Sequence, residues 1–333
     1  MKSPSLITIV SIFLSILLLY KWTSRRAPVV PQSPPSPPLA PSISDDFWSQ
    51  MKKANFAKKN VILRAKYCEE KCLYVVDKIE ESYRGIQVQR LVTLGESDTD
   101  SYVCAHVLKP DPNEIDTSKW QDDHTRMISD SINSAQVAQI FQSGQLPLSK
   151  DIEKSVLVFG TGTGTVFMHL QHHFKKMSIT GLEISEKILK IAKEWFNFEP
   201  NSQNRFIILD VKDHVKQSIE EKYLYDIILA DVCLEYLNFD KWMCPPPSLY
   251  TDEFISNLRK VMKPNGILSM NLLHFDGKPK YDEIKDTFAK YFEHCEFYGV
   301  PYSANILLTC YTSKMPAKNG FTFKFLAELG VAN

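Results

Sequence analysis

From residue 155 onward, short apolar runs and amphipathic stretches alternate along the chain. The runs are SVLVF (155–159), SITGL (178–182), RFIIL (205–209), DIILA (226–230) and GILSMNL (266–272). They are short and rich in Val, Ile and Leu, which predicts strands covered on both faces. Between them lie helical patterns such as Ile188, Leu189, Ala192, Trp195 and Phe196, introduced by Ser185 as an N-cap. Strand–helix alternation predicts a parallel sheet with helices on both faces. The series ends differently. CEFYGV (295–300) and NILLTCYT (305–312) follow one another with no helix between them, so one strand must run antiparallel to the rest.

Upstream the pattern changes. Residues 46–59 read as a helix. VILRAKY (61–67), CLYVVDKI (72–79), IQVQRLVTL (86–94) and SYVCAHVLK (101–109) read as strands of a small antiparallel sheet. Residues 120–147 then read as helical, with Met127, Ile128, Ile132, Ala135, Val137, Ile140 and Phe141 as the apolar positions. Near the C-terminus Phe321, Phe323 and Phe325 alternate as in a strand that packs on the body.

The N-terminus stands apart. Residues 6–20 are apolar except for Thr8, Ser11 and Ser15, shorter than the ~20 residues that span a bilayer comfortably. Lys21, Arg25, Arg26 and Pro28 follow where a signal peptide would carry small residues, which favours an uncleaved anchor over residues 1–26. By the positive-inside rule these charges keep the body of the protein in the cytoplasm, on the endoplasmic reticulum or the outer mitochondrial membrane. The secretory pathway after signal-peptide cleavage is the alternative. Residues 27–42 carry Pro28, Pro31, Pro34, Pro35, Pro37, Pro38 and Pro41 and read as a semi-rigid polyproline stalk. The expected organisation is therefore anchor, stalk, a β-rich unit over 43–115, a larger α/β unit over 116–315 and a tail over 316–333.

Composition narrows the function classes. The chain has 333 residues and 44% hydrophobic content, enough for a sizeable core. Its 39 basic and 39 acidic residues cancel, so no excess charge points to nucleic acid. The seven cysteines have no zinc-ligand spacing and read as reduced, mostly buried thiols, which suits a reducing compartment. His169 and His173 stand at i, i+4 without a third ligand and read as a solvated helix face, so no metal is expected. Nothing in the pattern sets an oligomeric state.

The chemistry concentrates at FGTGTGT. Gly160, Gly162 and Gly164 end the first strand of the alternating series and open a helix. In an open α/β sheet that turn lies where ligands bind, and helix-start N–H groups favour anionic groups. A dinucleotide site prefers glycine where this chain has Thr165. Three acids end the next three strands. Glu183 is placed to take ribose hydroxyls, Asp210 to accept from an adenine amino group, and Asp231 to face the reacting end of a ligand.

With these residues in view, residues 155–312 resemble the class I S-adenosylmethionine-dependent methyltransferases. The resemblance implies a Rossmann-like seven-stranded sheet with a late antiparallel strand. ESYRGIQVQRLVTL resembles the small antiparallel N-terminal unit of spermidine synthases. DVCLEYLNFDKWMCPPPSLYTDEFISNLRKVMKPNGILSMNLL is similar to the spermidine-synthase-like C-terminal domain of the methyltransferase-like protein that methylates the amino terminus of elongation factor 1-alpha. The implied cofactor is S-adenosyl-L-methionine, held by Gly160, Gly162, Gly164, Glu183, Asp210 and Asp231, with Asp231 also the catalytic candidate. The implied acceptor is a protein amine, an N-terminus or a lysine. Cys244, Pro245, Pro246, Pro247 and Tyr250 are expected to shape the substrate entrance, with Asn271 and His274 as weaker rim candidates, and His124 resembles a position near the cofactor in the family. Two alternatives stay open. Phe159 stands where many methyltransferases carry an acid, which leaves room for an inactive membrane-anchored scaffold. Aminopropyl transfer is the other, although Leu234 stands where a spermidine synthase places its second acid.

Overall fold

The computed structural model describes residues 43–56, 59–69, 72–82, 85–96, 102–129, 131–233, 244–274, 277–300, 303–314 and 322–331. The expected anchor and stalk lie outside the described residues. Among the described residues no helix is long and apolar enough to cross a membrane.

Helix α1 (Asp45–Asn55) starts at Ser44, whose hydroxyl accepts from the Phe47 amide at 3.2 Å. A five-stranded sheet follows in sequential order. Its strands are β1 (Val61–Cys68), β2 (Cys72–Ser82), β3 (Gly85–Thr93), β4 (Tyr102–Lys109) and β5 (Gln121–Asp122). All four pairings are antiparallel. Inside it Arg90 is 2% exposed, and its guanidinium meets the fully buried Asp77 carboxylate at 2.8 Å. Arg64 reaches the other Asp77 oxygen at 2.7 Å, so the buried acid is paired twice.

The stretch 120–147 is less helical than its apolar positions predict. Residues 121–122 pair with β4, and only α2 (Ile132–Gln142) is α-helical. Met127 is buried from irregular chain rather than from a helix face. The larger unit then alternates as expected. Its elements are β6 (Ser155–Phe159), α3 (Thr165–His173), β7 (Ser178–Glu183), α4 (Glu186–Trp195), β8 (Arg205–Ile208), α5 (Val211–Glu220), β9 (Tyr225–Ala230), α6 (Asp252–Lys260), β10 (Met262–Leu272), α7 (Lys278–Ala289), β11 (His294–Gly299) and β12 (Ile306–Tyr311). The strand order in the seven-stranded sheet is β11-β12-β10-β9-β6-β7-β8. β12 pairs antiparallel to both β10 and β11, the late reversal the sequence requires.

Alternation along the strands builds two apolar layers. Val156, Val158, Ile227 and Leu229 pack with α2 and α3 on one face. Leu157, Phe159, Ile228 and Ala230 pack with α5, α6 and α7 on the other. The segment carrying Phe323 and Phe325 is a helix, α8 (Phe323–Glu328), not a strand. The cause is a second apolar spacing, because Leu326 and Leu329 are both buried one turn apart against the first layer. Phe321 lies outside the described residues.

Six of the seven cysteines are paired, contrary to the expected free thiols. Cys295 and Cys310 face each other across the β11–β12 ladder with 4.1 Å between Cα atoms, although 15 residues separate them. Cys68–Cys72 closes the β1–β2 hairpin and Cys233–Cys244 spans the segment after β9. Cys104 is free.

Asp226 ties the lower ends of β6 and β9 together. It accepts from the Ser155 amide and hydroxyl at 2.9 Å each, from Lys154 at 2.9 Å and from Lys263 at 2.7 Å. Burial pushes its pKa upward, but the Lys263, Ser155 and Lys154 donors outweigh burial and hold it at about 2. A carboxylate depressed in the fold stabilises above its unfolded pKa. That contribution, about 2 kcal/mol at neutral pH, is lost as pH falls from about 4 to about 2. Asp226→Asn is therefore expected to lower the melting temperature at pH 7 and to converge with the parent near pH 2. A constant difference across that range would show that Asp226 is not the titrating group.

Candidate active site

β6 and β9 are neighbours at the centre of the sheet, and the chain turns to opposite sides from them. Their carboxyl ends open on a cavity of about 950 Å³. Its lining includes Gly160, Gly162, Glu183, Asp210, Asp231, Cys244 and Pro246, so the structure brings together predicted residues from five separate stretches. Gly164, Pro245, Pro247 and Tyr250 are not part of that lining. Gly164 is the N-cap of α3, and Tyr250 packs into the second apolar layer with the Lys280 ammonium 5.2 Å from its ring centre. The His274 amide donates to the Tyr281 hydroxyl at 3.0 Å.

The three glycines of the turn are left-handed, with φ of +68° at Gly160, +57° at Gly162 and +97° at Gly164. Close packing as well as ligand approach demands this. A Cβ on Gly162 would sit 2.6 Å from the Cys104 sulfur of β4. The threonines between the glycines have a matching job. The Thr163 amide donates to the Cys104 sulfur at 3.4 Å, and the Thr163 and Thr165 hydroxyls each lie 2.9 Å from His106 Nε2. The turn is thus seated on the small sheet, a tie that no spacing within FGTGTGT reveals. Burial pushes the Cys104 thiol up to about 11, which keeps it protonated at neutral pH.

Glu183 ends β7 and staples the turn to the next helix. One oxygen accepts from the Gly162 amide at 3.0 Å, the other from the Ile184 and Ser185 amides at 2.9 and 3.0 Å. A carboxylate has about four acceptor sites, so one direction stays open toward the cavity. Asp210 is the N-cap of α5 and accepts from the Lys212 amide at 2.7 Å, while its carboxylate still lines the cavity. Both acids therefore hold backbone and face the cavity at once.

Asp231 follows β9, and its amide donates to the Phe159 carbonyl at 3.0 Å. Asn271 donates to one side-chain oxygen at 2.8 Å and Asn133 to the other at 3.2 Å. Burial raises the Asp231 pKa above the usual carboxylate range, and the two amides partly offset it. Asn305 in turn donates to Asn271 Oδ1 at 2.9 Å, which fixes which way that amide points. Asn133 and Asn305 escape sequence reasoning because each sits far from Asp231 in the chain, with no periodic signal. The disulfide Cys233–Cys244 and a two-way backbone bridge between Cys244 and Leu273 (3.0 and 2.9 Å) fix the wall beside Asp231. Leu234 lies outside the described residues.

The histidines also depart from expectation. His169 is buried, and burial followed by the nearby His173 holds its pKa well below the ordinary value. His173 donates through Nε2 to the Thr125 carbonyl at 3.0 Å, and burial lowers its pKa to about 4. This face of α3 packs on the segment at 124–125 and is not a solvated one. His124 lies beside His106, with ring centres 6.5 Å apart, and is not part of the cavity lining.

A central parallel sheet with one late antiparallel strand, a glycine turn after β6 and acids closing the neighbouring strands define a Rossmann-like methyltransferase fold. Over residues 157–268 the chain matches the family described as "Methyltransferase domain". It is similar to the human protein named eEF1A lysine and N-terminal methyltransferase, with 28% identity over 126 residues, which are 37% of this chain and 18% of the relative. It is also similar to a probable polyamine aminopropyl transferase of Bifidobacterium longum, 30% identical over 148 residues, 44% of this chain and 30% of the relative. The matched stretch thus spans less than a third of either relative. Among solved structures, human methyltransferase-like protein 13 in complex with SAH shares the fold with a TM-score of 0.51 at 23% identity, over 59% of this chain and 89% of that one. A probable spermidine synthase from Corynebacterium glutamicum matches with a TM-score of 0.50 at 16% identity, over 80% and 86%.

Proposed function

We propose that the chain is an S-adenosylmethionine-dependent methyltransferase whose acceptor is a protein amine. The observation that carries this reading is the placing of Gly162, Glu183, Asp210 and Asp231 around one cavity at the centre of the sheet. The donor set suits the cofactor. Glu183 has an acceptor direction left for ribose hydroxyls, Asp210 lies beyond it for the base, and the turn offers backbone N–H groups. The cofactor supplies a methyl group on a sulfonium, already a good leaving group, so the protein has to orient the nucleophile and keep it deprotonated. Asp231 is the residue placed to accept that proton or to hold the amine. The relatives named for eEF1A methylation support a protein amine as acceptor.

The three disulfides favour an oxidising compartment, and so favour the secretory route over the cytoplasmic placement that the flanking charges suggest. The N-terminal apolar segment supports association with a membrane where it is retained as an anchor.

Calorimetric titration of the full-length protein in detergent, with S-adenosylmethionine and its decarboxylated form side by side, tests the cofactor. The methylated sulfonium with its carboxylate is expected to bind, and Glu183→Ala to weaken it at least tenfold, about 1.4 kcal/mol. Preference for the decarboxylated form would turn the reading to aminopropyl transfer. Binding of neither would leave only a scaffold.

A further inference from the structure

A second polar cluster lies beneath the glycine turn, outside the cavity. His106 of β4, Asp122 of β5 and His124 each present one ligand atom, and these atoms all lie within 4.8 Å of one another. The Asp122 side chain is fully buried, and neither of its oxygens receives a hydrogen bond. A buried carboxylate without compensation is costly.

The hydrogen-bond pattern fixes which His106 nitrogen is free. The Thr163 and Thr165 hydroxyls both lie 2.9 Å from His106 Nε2, which leaves Nδ1 to face the acid. Nδ1 stands 3.0 Å from Asp122 Oδ2. At this separation a proton or a metal ion must lie between the two atoms. A proton on Nδ1 would pair His106 with one Asp122 oxygen and would leave the other oxygen and the convergence of His124 unexplained.

We propose that His106, Asp122 and His124 bind a zinc-class divalent cation that pins the small sheet under the glycine turn. Two imidazole nitrogens and a carboxylate oxygen are a donor set that zinc accepts, with a water in the fourth position. Zinc bonds of about 2.0–2.2 Å place tetrahedral ligand atoms roughly 3.4 Å apart, so the 3.0 Å pair already fits and His124 has only to move inward. The threonine hydroxyls on Nε2 are the outer partners that such a histidine needs to fix its tautomer. His124 is only partly buried, which gives the ion a way in. This site does not depend on the chain being a methyltransferase.

The test is zinc uptake by the full-length protein, stripped with a chelator and then titrated with Zn²⁺ against a competing indicator. One ion per chain is expected, together with a raised melting temperature. His124→Gln, at the partly exposed ligand, is expected to weaken uptake at least tenfold, and Asp122→Asn to do the same if it folds. His173→Gln, on the neighbouring helix face, is expected to leave uptake unchanged. Uptake that is absent, or that survives His124→Gln, or that is lost with His173→Gln, would overturn the proposal and leave a proton-bridged His106–Asp122 pair.

Discussion

Gly160→Ala is expected to reduce affinity for S-adenosylmethionine at least a hundredfold, about 2.8 kcal/mol. Two independent costs act at this position. The residue sits at φ +68°, where a side chain costs about 1–2 kcal/mol. The added methyl would also overlap the Asp231 carbonyl oxygen and stand 3.0 Å from its carbonyl carbon. Both groups are backbone, and the Asp231 amide is tied to the Phe159 carbonyl at 3.0 Å, so no rotamer change relieves the clash. The ends of β6 and β9 must separate, which moves the glycine turn and Asp231 together. Gly85→Ala supplies the contrast. Gly85 is also left-handed, at φ +107°, but nothing lies within 4 Å of its added Cβ. It should cost only the backbone strain, with affinity unchanged. Calorimetry on both variants, with a thermal melt for each, separates the two costs. Equal affinity for Gly160→Ala and the parent would mean that the turn does not hold the cofactor.

The fold was legible in the sequence to the extent that its signals are local. Short β-branched runs, the Ser185 cap and the helix-free interval between residues 300 and 305 are all local, and they led to the sheet and its late reversal. Failures arose where two periodicities competed or where contacts were distant. At 323–329 the alternating phenylalanines suggested a strand, but Leu326 and Leu329 supplied the spacing that the core uses. The cysteines failed for a different reason. Cys295 and Cys310 meet only because an antiparallel register puts them opposite each other. The placing of Glu183, Asp210 and Asp231 on the cavity was readable because each lies at or just after the carboxyl end of a strand in a regular series. His106, Thr163 and Asn133 were not, because their roles come from the small sheet and α2 closing over the turn. Thr163 and Thr165, within and just after the glycine run, attach the turn to the small sheet through His106.

Asp231→Asn tests whether the cavity does chemistry or only binds. The expected result is a fall in kcat/KM for methyl transfer of at least a hundredfold, about 2.7 kcal/mol. Asn271 and Asn133 both donate, one to each Asp231 oxygen. An asparagine at this position offers a single oxygen, so its NH2 group must face one of those two donors. Asn271 cannot turn to help, because Asn305 holds its carbonyl. The substitution therefore removes the negative charge and breaks the local hydrogen-bond pairing while the side-chain volume stays the same. The pH profile gives a second reading. Burial raises the Asp231 pKa, so the ionised form that accepts a proton is lost at a higher pH than for an ordinary carboxylate. In the parent, the rate should fall on the acid side through that raised pKa. In Asp231→Asn this limb should vanish, while any limb belonging to the acceptor amine remains. Transfer of labelled methyl groups to a peptide carrying a free N-terminal amine and a lysine, followed against pH for parent and variant, measures both quantities. If the variant keeps the parent's rate and its acid limb, Asp231 plays no part in proton transfer. If the variant binds cofactor with the parent's affinity but transfers nothing, the role of Asp231 lies at the acceptor and not at the methionine end of the cofactor.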